Sequence, residues 1–294
     1  MKKRSGTKLV KNTPLHVLMV LFLTLFAIII IYPFYNTILV SLVPQVEYAR
    51  SPLMLWPTSI TWESYEFVME SPLLLRSMGV SAIMMVVGTI YNMLLTVTIA
   101  CALSKPIPGR KFFQFLLVFT MYFGGGLIPY YLLIKGLGLM DSFWVMVLPS
   151  VVSVPYVLIV SNYFRSLPLD MIESAQLDGA SDMRVLWSIT LPLSLPILAT
   201  FALYYAVERW NEWWSAMLFI KSIEKWPLQY VLRKIISDAN FVSNTAQTFN
   251  VRPPTYAEGV KMACIVITVF PLMALYPFLQ RYFLTGLTLG AVKG

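Results

Sequence analysis

Six long apolar runs alternate with shorter polar segments along the 294-residue sequence. A bilayer with an apolar core about 30 Å thick is crossed by about 20 helical residues, because each residue advances an α-helix by about 1.5 Å. All six runs are long enough, so the pattern predicts an all-α integral membrane protein with six transmembrane helices. The predicted spans are Leu15–Val43, Leu73–Leu103, Phe112–Ile134, Ser142–Phe164, Leu193–Ile220 and Glu258–Leu284.

The overall composition argues against a soluble or a disordered protein. Apolar residues make up 58% of the chain and charged residues only 12%, against roughly 25% charged residues in an average chain. Disorder requires the opposite composition. The single histidine, His16, and the two cysteines, Cys101 and Cys264, lie in or beside apolar runs and lack metal-ligand spacing, so no metal site is expected.

Charges near the first run predict the orientation of the chain. The loop after that run contains one cation, Arg50, among four glutamates. Because Lys and Arg stay on the cytoplasmic side, we expect both termini to be cytoplasmic, with residues 1–14 as a cytoplasmic segment and 15–294 as one transmembrane domain. The net charge of +8 is thus interpreted as a cytoplasmic-anchor pattern, with membrane lipid and no nucleic acid as the expected partner, in preference to a basic arm that binds nucleic acid. The five cations before the first run are Lys2, Lys3, Arg4, Lys8 and Lys11.

Prolines interrupt several predicted spans, among them Pro33, Pro149, Pro155, Pro196 and Pro271. A proline inside a helix removes one backbone hydrogen bond and bends the helix. Two interpretations stay open: irregular packing between helices, or helices that rock against one another around a transport path.

The polar segment 165–192, between predicted spans four and five, is too interrupted to cross a membrane. Ser166 is expected to cap a first helix with Pro168 in its first turn, and Gly179 to end that helix in the left-handed conformation. Ser181 is expected to cap a second, shorter helix. The residues alone fit equally well with a helix pair lying at the membrane surface and with a docking element for a partner.

A second short helix is predicted in the last outer loop, within Pro227–Asn240. Its apolar residues recur at helical spacing on one face, which is typical of an amphipathic helix at a surface. These residues are Leu228, Val231, Leu232, Ile235 and Ile236.

Segment 165–192 also carries a resemblance to a known family. The order Glu173-Ser174-Ala175, then Asp178-Gly179-Ala180, then Leu191-Pro192, resembles the cytoplasmic signature of inner-membrane permeases in ATP-binding-cassette importers. The family pattern has Glu-Ala-Ala at the first three positions, so Ser174 departs from it with another small residue. The resemblance implies that these eight residues couple the permease to its ATPase.

Further motifs narrow the resemblance to carbohydrate importers. Trp210-Asn211-Glu212 is similar to a triplet of that group, and the segments 123–129 and 290–294 resemble one branch of it. That branch is associated with uronic-acid-containing oligosaccharides of the aldouronate and alginate kind.

The resemblance implies a set of partners in a bacterial inner membrane. They are a second homologous permease, two cytoplasmic ATPase subunits and an extracytoplasmic sugar-binding protein. This chain has no nucleotide-binding motif, so it is expected to be a non-catalytic subunit that binds no cofactor. ATP and Mg²⁺ are expected on the ATPase subunits.

Predicted span five carries ionisable residues inside an apolar run. A charge facing lipid costs at least a few kcal/mol, so these residues are expected to face the bundle interior or water. Tyr205, Glu208 and Glu212 share one helix face with Phe201, where rings would pack against sugars and carboxylates would accept hydroxyl hydrogens. The predicted substrate path consists of Tyr205, Glu208, Arg209, Asn211 and Glu212.

Competing interpretations of span five stay open. Arg209 and Glu212 have the i, i+3 spacing of a purely structural ion pair, and Trp213 and Trp214 are typical of a membrane-interface belt. A self-sufficient secondary transporter would use Glu208 or Glu212 as proton carriers, although the internal repeats common in such folds are not evident. An intramembrane enzyme has little support, since no catalytic motif is present.

Overall fold

The computed structural model describes residues 14–238, 240–251, 254 and 256–290, with residues 275–290 given as backbone. Every regular element within these residues is helical, which confirms the all-α prediction. The N-terminal cations and the C-terminal segment 291–294 lie outside the described residues.

The first nine helices lead from the N-terminal apolar run to segment 165–192. They are α1 (Pro14–Leu42), α2 (Gln45–Arg50), α3 (Glu63–Glu70), α4 (Pro72–Ser104), α5 (Arg110–Tyr122), α6 (Leu127–Gly136), α7 (Val154–Arg165), α8 (Leu169–Leu177) and α9 (Asp182–Val185). A short 3₁₀-helix, Phe143–Met146, lies between α6 and α7.

The remaining helices begin with a wide π-turn, Leu186–Thr190, that follows α9 directly. They are α10 (Leu191–Leu193), α11 (Leu195–Trp210), α12 (Trp214–Phe219), α13 (Leu228–Ser237), α14 (Phe241–Thr248) and α15 (Ala257–Gly290). A 3₁₀-turn, Ile223–Lys225, precedes α13.

Three of the described helices are single elements long and apolar enough to cross a membrane: α1, α4 and the part of α15 up to Ala274. Two bent pairs raise the number to five if each pair forms one span. The pair α5 and α6 bends by 111°, and the pair formed by 182–193 and α11 bends by 84°. The structure therefore supports three to five spans, and six remains a prediction.

Glycines and prolines explain where the predicted spans break. The third predicted span turns at Gly124–Gly126, where Gly126 has a φ of +84° that only glycine adopts without strain. The fourth is not one helix: after the 3₁₀-helix the chain is irregular until Val154, and Pro155 lies in the first turn of α7. Proline is tolerated there because the first N–H groups of a helix have no partner within it.

Helix α4 lies at the centre of the molecule and packs against α7 and α11, while α1 packs against α15. The buried face of α4 consists largely of small and polar residues, whereas its exposed face carries Ile83, Val86, Ile90 and Leu94. Small residues let helix backbones approach closely. Membrane helices associate through such close packing, because lipid tails are as apolar as their side chains and the hydrophobic effect does not drive them together. The buried small and polar residues are Ser77, Ser81, Gly88, Asn92, Thr96 and Ala100.

Helix α13 confirms the predicted amphipathic helix, although it ends earlier, at Ser237. Its apolar residues Val231 and Ile235 pack with α3, with the start of α4 and with α14 in one buried cluster. Leu228 N–H donates to Ser81 Oγ of α4 at 2.9 Å. The apolar face of α13 therefore packs against the protein.

Candidate functional site

Segment 165–192 forms the predicted helix–turn–helix. Helix α8 ends just before Gly179, which has a φ of +81°, and Ser181 Oγ accepts the Arg184 N–H at 3.4 Å to cap α9. The prediction for Ser166 was wrong, since this residue ends α7 and its Oγ donates to Tyr163 O. Pro168 lies immediately before α8, so it precedes the first turn in which it was expected.

Large apolar side chains of this segment project away from the described chain. Leu177 is 89% exposed, and Leu169, Met183 and Trp187 are each more than 60% exposed. A Cβ added at Gly179 would meet no atom within 4 Å. Such an apolar, uncrowded surface beside small residues is typical of a site for another protein.

The eight predicted coupling residues all lie on this segment. Glu173, Ser174, Asp178, Gly179 and Pro192 are exposed, and Ala175, Ala180 and Leu191 are partly exposed.

One ion pair joins the segment to the C-terminal end of α4. Lys105 Nζ lies 2.6 Å from Asp182 Oδ1, the first residue of α9. The hydrogen bond and charge of Lys105 lower the pKa of Asp182. From α9 the chain runs helically through the π-turn and α10 to the bend at Ser194, where α11 begins. The helix pair is therefore joined to α11 by a helical path that bends at Ser194.

Arg209, on α11, is buried inside the chain with 3% of its surface exposed. Its guanidinium makes six hydrogen bonds, two to Asn92 Oδ1 of α4 and four to the region 146–150, which runs from the last residue of the 3₁₀-helix into the irregular segment. The acceptors in that region are Met146 O, Val147 O, Ser150 O and Ser150 Oγ, at 2.7–3.2 Å. Arg209 thereby satisfies backbone carbonyls that the break in predicted span four leaves without helical partners.

The residues of the predicted substrate path differ in burial. Tyr205 is fully buried, and its hydroxyl lies 2.7 Å from Thr96 Oγ1 and accepts the Ser153 N–H. Tyr205 therefore does not line an open path beside Glu208, although the two residues share one predicted helix face. Arg209 faces the bundle interior, one of the two surroundings expected for it. Glu208 is exposed and accepts the Tyr156 hydroxyl at 2.6 Å.

Each residue of the Trp210-Asn211-Glu212 triplet contacts a different element. Trp210 Nε1 donates to Thr268 O of α15 at 3.0 Å, and Asn211 Oδ1 accepts Gln229 Nε2 of α13 at 2.8 Å. Glu212 Oε1 accepts the Ser215 N–H in the first turn of α12, in place of the i, i+3 ion pair with Arg209. The triplet thus fixes the corner at which α11 ends.

Asp141 joins the loop after α6 to the segment 221–225. It accepts the N–H groups of Lys221 and Ser222 at 3.1 and 3.0 Å, and Lys225 Nζ lies 3.5 Å from its carboxylate. These bonds, with the Ser222 hydroxyl as the largest contributor, lower the pKa of Asp141 to about 2.

Several residues of these sites were missed by the sequence interpretation. Asn92 and Thr96 are polar residues within the long apolar helix α4, a signal that could have marked them as buried hydrogen-bond partners. Ser150 and Tyr156 gave no such signal, because their contacts depend on how the irregular region folds. The contact of the Arg233 guanidinium with Trp213, 3.8 Å from its ring centre, was also missed.

Residues 6–288 match the family model described as "binding-protein-dependent transport system inner membrane component". The chain belongs to this family. It is 42% identical to protein LplC of Bacillus subtilis, covering 94% of this chain and 93% of that protein. It is 36% identical to the polygalacturonan/rhamnogalacturonan transport system permease protein YtcP of the same organism, covering 97% and 100%.

A solved structure has the same fold. A chain of a bacterial ABC transporter involved in the import of the acidic polysaccharide alginate superimposes with a TM-score of 0.86 and 31% identity, covering 94% of this chain and all of the other. Family membership makes the present chain an inner-membrane component of a binding-protein-dependent transporter. It favours this class over the self-sufficient secondary transporter that Glu208 and Glu212 left open.

Proposed function

We propose that the chain is the permease subunit of an ATP-driven importer and forms half of a translocation pathway for oligosaccharides, including uronic-acid-containing ones. The observation that carries this proposal is the exposed helix pair α8–α9, which continues through the π-turn into α11. A docking surface and a helix of the pathway are thereby parts of one connected element.

The helix pair α8–α9 is proposed to couple the permease to its ATPase. Closure of an ATPase dimer against the helix pair would move Glu173–Ala180 as a unit, with Gly179 leaving room for close approach. The large exposed side chains, Leu177 and Trp187 among them, gain apolar burial when a partner covers them. Leu191 and Pro192 then carry the movement to the bend at Ser194.

The proposed assembly has two permeases, two ATPase subunits and an extracytoplasmic sugar-binding protein. This chain is the non-catalytic membrane part, and ATP with Mg²⁺ binds only to the ATPase subunits. The proposed topology has six spans with both termini in the cytoplasm. The family description supports the binding-protein partner, and the exposed surface of α1 supports contact with lipid or with the second permease.

The proposed pathway side of the chain is the exposed part of α11 and the corner after it. Glu208, held by Tyr156, and the neighbouring residues Asn211 and Glu212 present oxygen acceptors and an amide to sugar hydroxyls. Tyr205 and Arg209 support this surface from behind. Similarity to a permease named for polygalacturonan and to an alginate importer supports acidic oligosaccharides as substrates.

Purification of the chain with the products of its neighbouring genes tests the assembly. We expect a second permease and an ATPase to co-purify, and the complex in liposomes to take up oligosaccharide only with ATP and the binding protein. Uptake driven by a proton gradient in the absence of ATP would instead establish the secondary transporter.

The pathway is tested in the same liposomes with Glu208→Gln, which keeps the shape of the side chain and removes its charge. We expect altered sugar uptake in a complex that assembles normally. Glu66→Gln, at an exposed carboxylate of α3, is the matched control and should leave uptake unchanged. Unaltered uptake of every sugar by Glu208→Gln would remove Glu208 from the pathway.

A further inference from the structure

A cleft of about 380 Å³ lies between the corner after α11 and one side of α13. Its volume is within the range of about 300–1,000 Å³ found for small-ligand sites. The wall combines one ring, one cation, two further polar side chains and two aliphatic ones. These residues are Trp213, Gln229, Leu232, Arg233, Ile236 and Ser237.

Arg233 is the charged group of this cleft. Its side chain is exposed, and within the described part of the chain no carboxylate lies within 4 Å of it. Carboxylates on the same elements are otherwise engaged: Glu212 accepts the Ser215 N–H, and Asp238 accepts the Asn240 N–H. The positive charge therefore faces the cleft without a neutralising partner.

Trp213 holds the guanidinium in position. The Cζ atom of Arg233 lies 3.8 Å from the centre of the Trp213 ring, a stacking distance for a cation–π contact. A guanidinium stacked by its flat face keeps its N–H groups free at the edge, where they match the two oxygens of a carboxylate. Gln229 is oriented by its bond to Asn211, which places an amide beside this edge.

The cleft lies beside the end of α11 that is farther along the chain from the helix pair α8–α9. Helix α11 has 16 residues and is therefore about 24 Å long. Its far end is separated from the helix pair α8–α9 by most of the thickness of a membrane core. The residues next to the cleft, Asn211 and Glu212, belong to the pathway surface already described.

We propose that this cleft is a binding subsite for one uronic-acid residue of the oligosaccharide, with Arg233 binding the sugar carboxylate. Trp213 positions the guanidinium, Leu232 and Ile236 contact the C–H face of the ring, and Gln229 bonds its hydroxyls. The proposal rests on the proposed function, because it assigns a substrate class to the outer part of the same pathway.

The test measures equilibrium binding of trigalacturonate and of its fully methyl-esterified form to the purified permease–ATPase complex, without binding protein. The ester keeps the length and the rings but removes the charges. We expect Arg233→Gln to weaken binding of the acid by roughly tenfold or more and to leave the ester unchanged. Arg233→Lys should fall between, because an ammonium retains the charge without the fork of donors.

Two further variants separate position from charge. Trp213→Leu should weaken binding of the acid while Arg233 is intact, because the guanidinium loses its support. Lys234→Gln is the matched control: it removes a neighbouring cation that lies near Tyr230 outside the cleft, and it should change binding of the acid less than twofold.

The outcomes distinguish this inference from the proposed function. If the wild-type complex binds and transports acidic sugar and Arg233→Gln does so equally well, only the subsite is wrong. Equal weakening of acid and ester, or loss of assembly in Arg233→Gln, also overturns the subsite and identifies the face as a protein interface. If the wild-type complex neither binds nor transports any oligosaccharide, both proposals fail.

Discussion

Arg209 shows how one side chain replaces a missing stretch of helix. Its six hydrogen bonds serve acceptors on α4 and on the irregular chain before α7. Gly88 of α4 makes room for it, since a Cβ there would lie 2.7 Å from Arg209 Cδ. The arginine and the glycine thus form one packing unit between α4 and α11.

Arg209→Gln should destabilise the chain for all substrates alike. Each buried acceptor left unpaired costs about 1–3 kcal/mol, so we expect a lower yield of folded complex and equal losses of acidic and neutral sugar uptake. Folded yield and uptake per folded complex are the measurements. A stable variant that loses only acidic-sugar uptake would contradict the structural role.

A double-mutant cycle checks the pairing of Gly88 with Arg209. Gly88→Ala alone should destabilise, because the arginine must move, whereas in the Arg209→Gln background it should cost much less. Additive effects of the two substitutions on stability would show that no coupling free energy joins Gly88 and Arg209.

Asp141 predicts a pH dependence with a defined sign. Its pKa is lowered from 3.8 to about 2 in the folded protein, so its stabilising contribution is complete above about pH 4 and is lost as the pH falls through about 2. Asp141→Asn should therefore melt below wild type at pH 7, with the difference shrinking toward pH 2. Asparagine tolerates the φ of +55° at this position, so the substitution tests the charge. Thermal unfolding in detergent at several pH values measures the difference in melting temperature. A difference that does not change with pH would contradict a stabilising role for the Asp141 charge.

The sequence predicted residue positions well where a rule of local geometry applies. Gly179 was placed in the left-handed region and Ser181 at a helix start, because both depend on a few neighbouring residues. Tyr205 was assigned to a substrate-path stripe with Glu208 and Glu212 from helical spacing alone. Spacing indicates which residues share a face, but not whether a neighbouring helix covers that face.

At the scale of the elements, the proposed coupling role of the helix pair α8–α9 depends on the backbone conformation of the turn between its two helices. Its turn has a positive φ at Gly179 and open space beside it. Any larger residue at this turn therefore brings two effects, backbone strain and a side chain in the path of a partner.

Gly179→Leu should lower sugar-stimulated ATPase activity of the complex by roughly tenfold or more while membrane insertion persists, since the left-handed conformation alone costs about 1–2 kcal/mol. Gly179→Asn, which tolerates that conformation and is smaller, should retain more activity. Gly138→Leu is the matched control, because Gly138 has a φ of +69° and equal space but lies in the loop after α6. Full stimulated activity in Gly179→Leu would exclude close docking at this turn.

Span prediction matched the structure for elements with continuous apolar sequence, whereas other predicted spans are broken into several elements and stay predictions. Helices α1 and α4 lie close to their predicted bounds. The run 142–164 is as apolar as a span, yet it folds as a 3₁₀-helix, an irregular segment and α7, because Arg209 supplies partners for its free carbonyls. That arginine is 45 or more residues away in sequence, so no local pattern could reveal it.

At the scale of the whole molecule, charge distribution predicts the sidedness of the chain. In a background with Cys101→Ser and Cys264→Ala, Asn244→Cys should react with a membrane-impermeant thiol reagent in intact cells. Glu173→Cys should react only after permeabilisation. Both side chains are exposed, so access to the reagent decides the result. Equal labelling of both from outside would show that the bent element between them does not cross the membrane.

The bend of 84° at Ser194 has a mechanical consequence. Helix α11 is about 24 Å long, so a rotation of about 10° about Ser194 displaces its far end by about 4 Å. The bonds of Arg209 oblige α4 and the segment 146–150 to follow. Under the proposed function the element would act as a lever whose short arm lies at the helix pair and whose long arm ends at Trp210. A small displacement at one surface would then become a larger movement at the other.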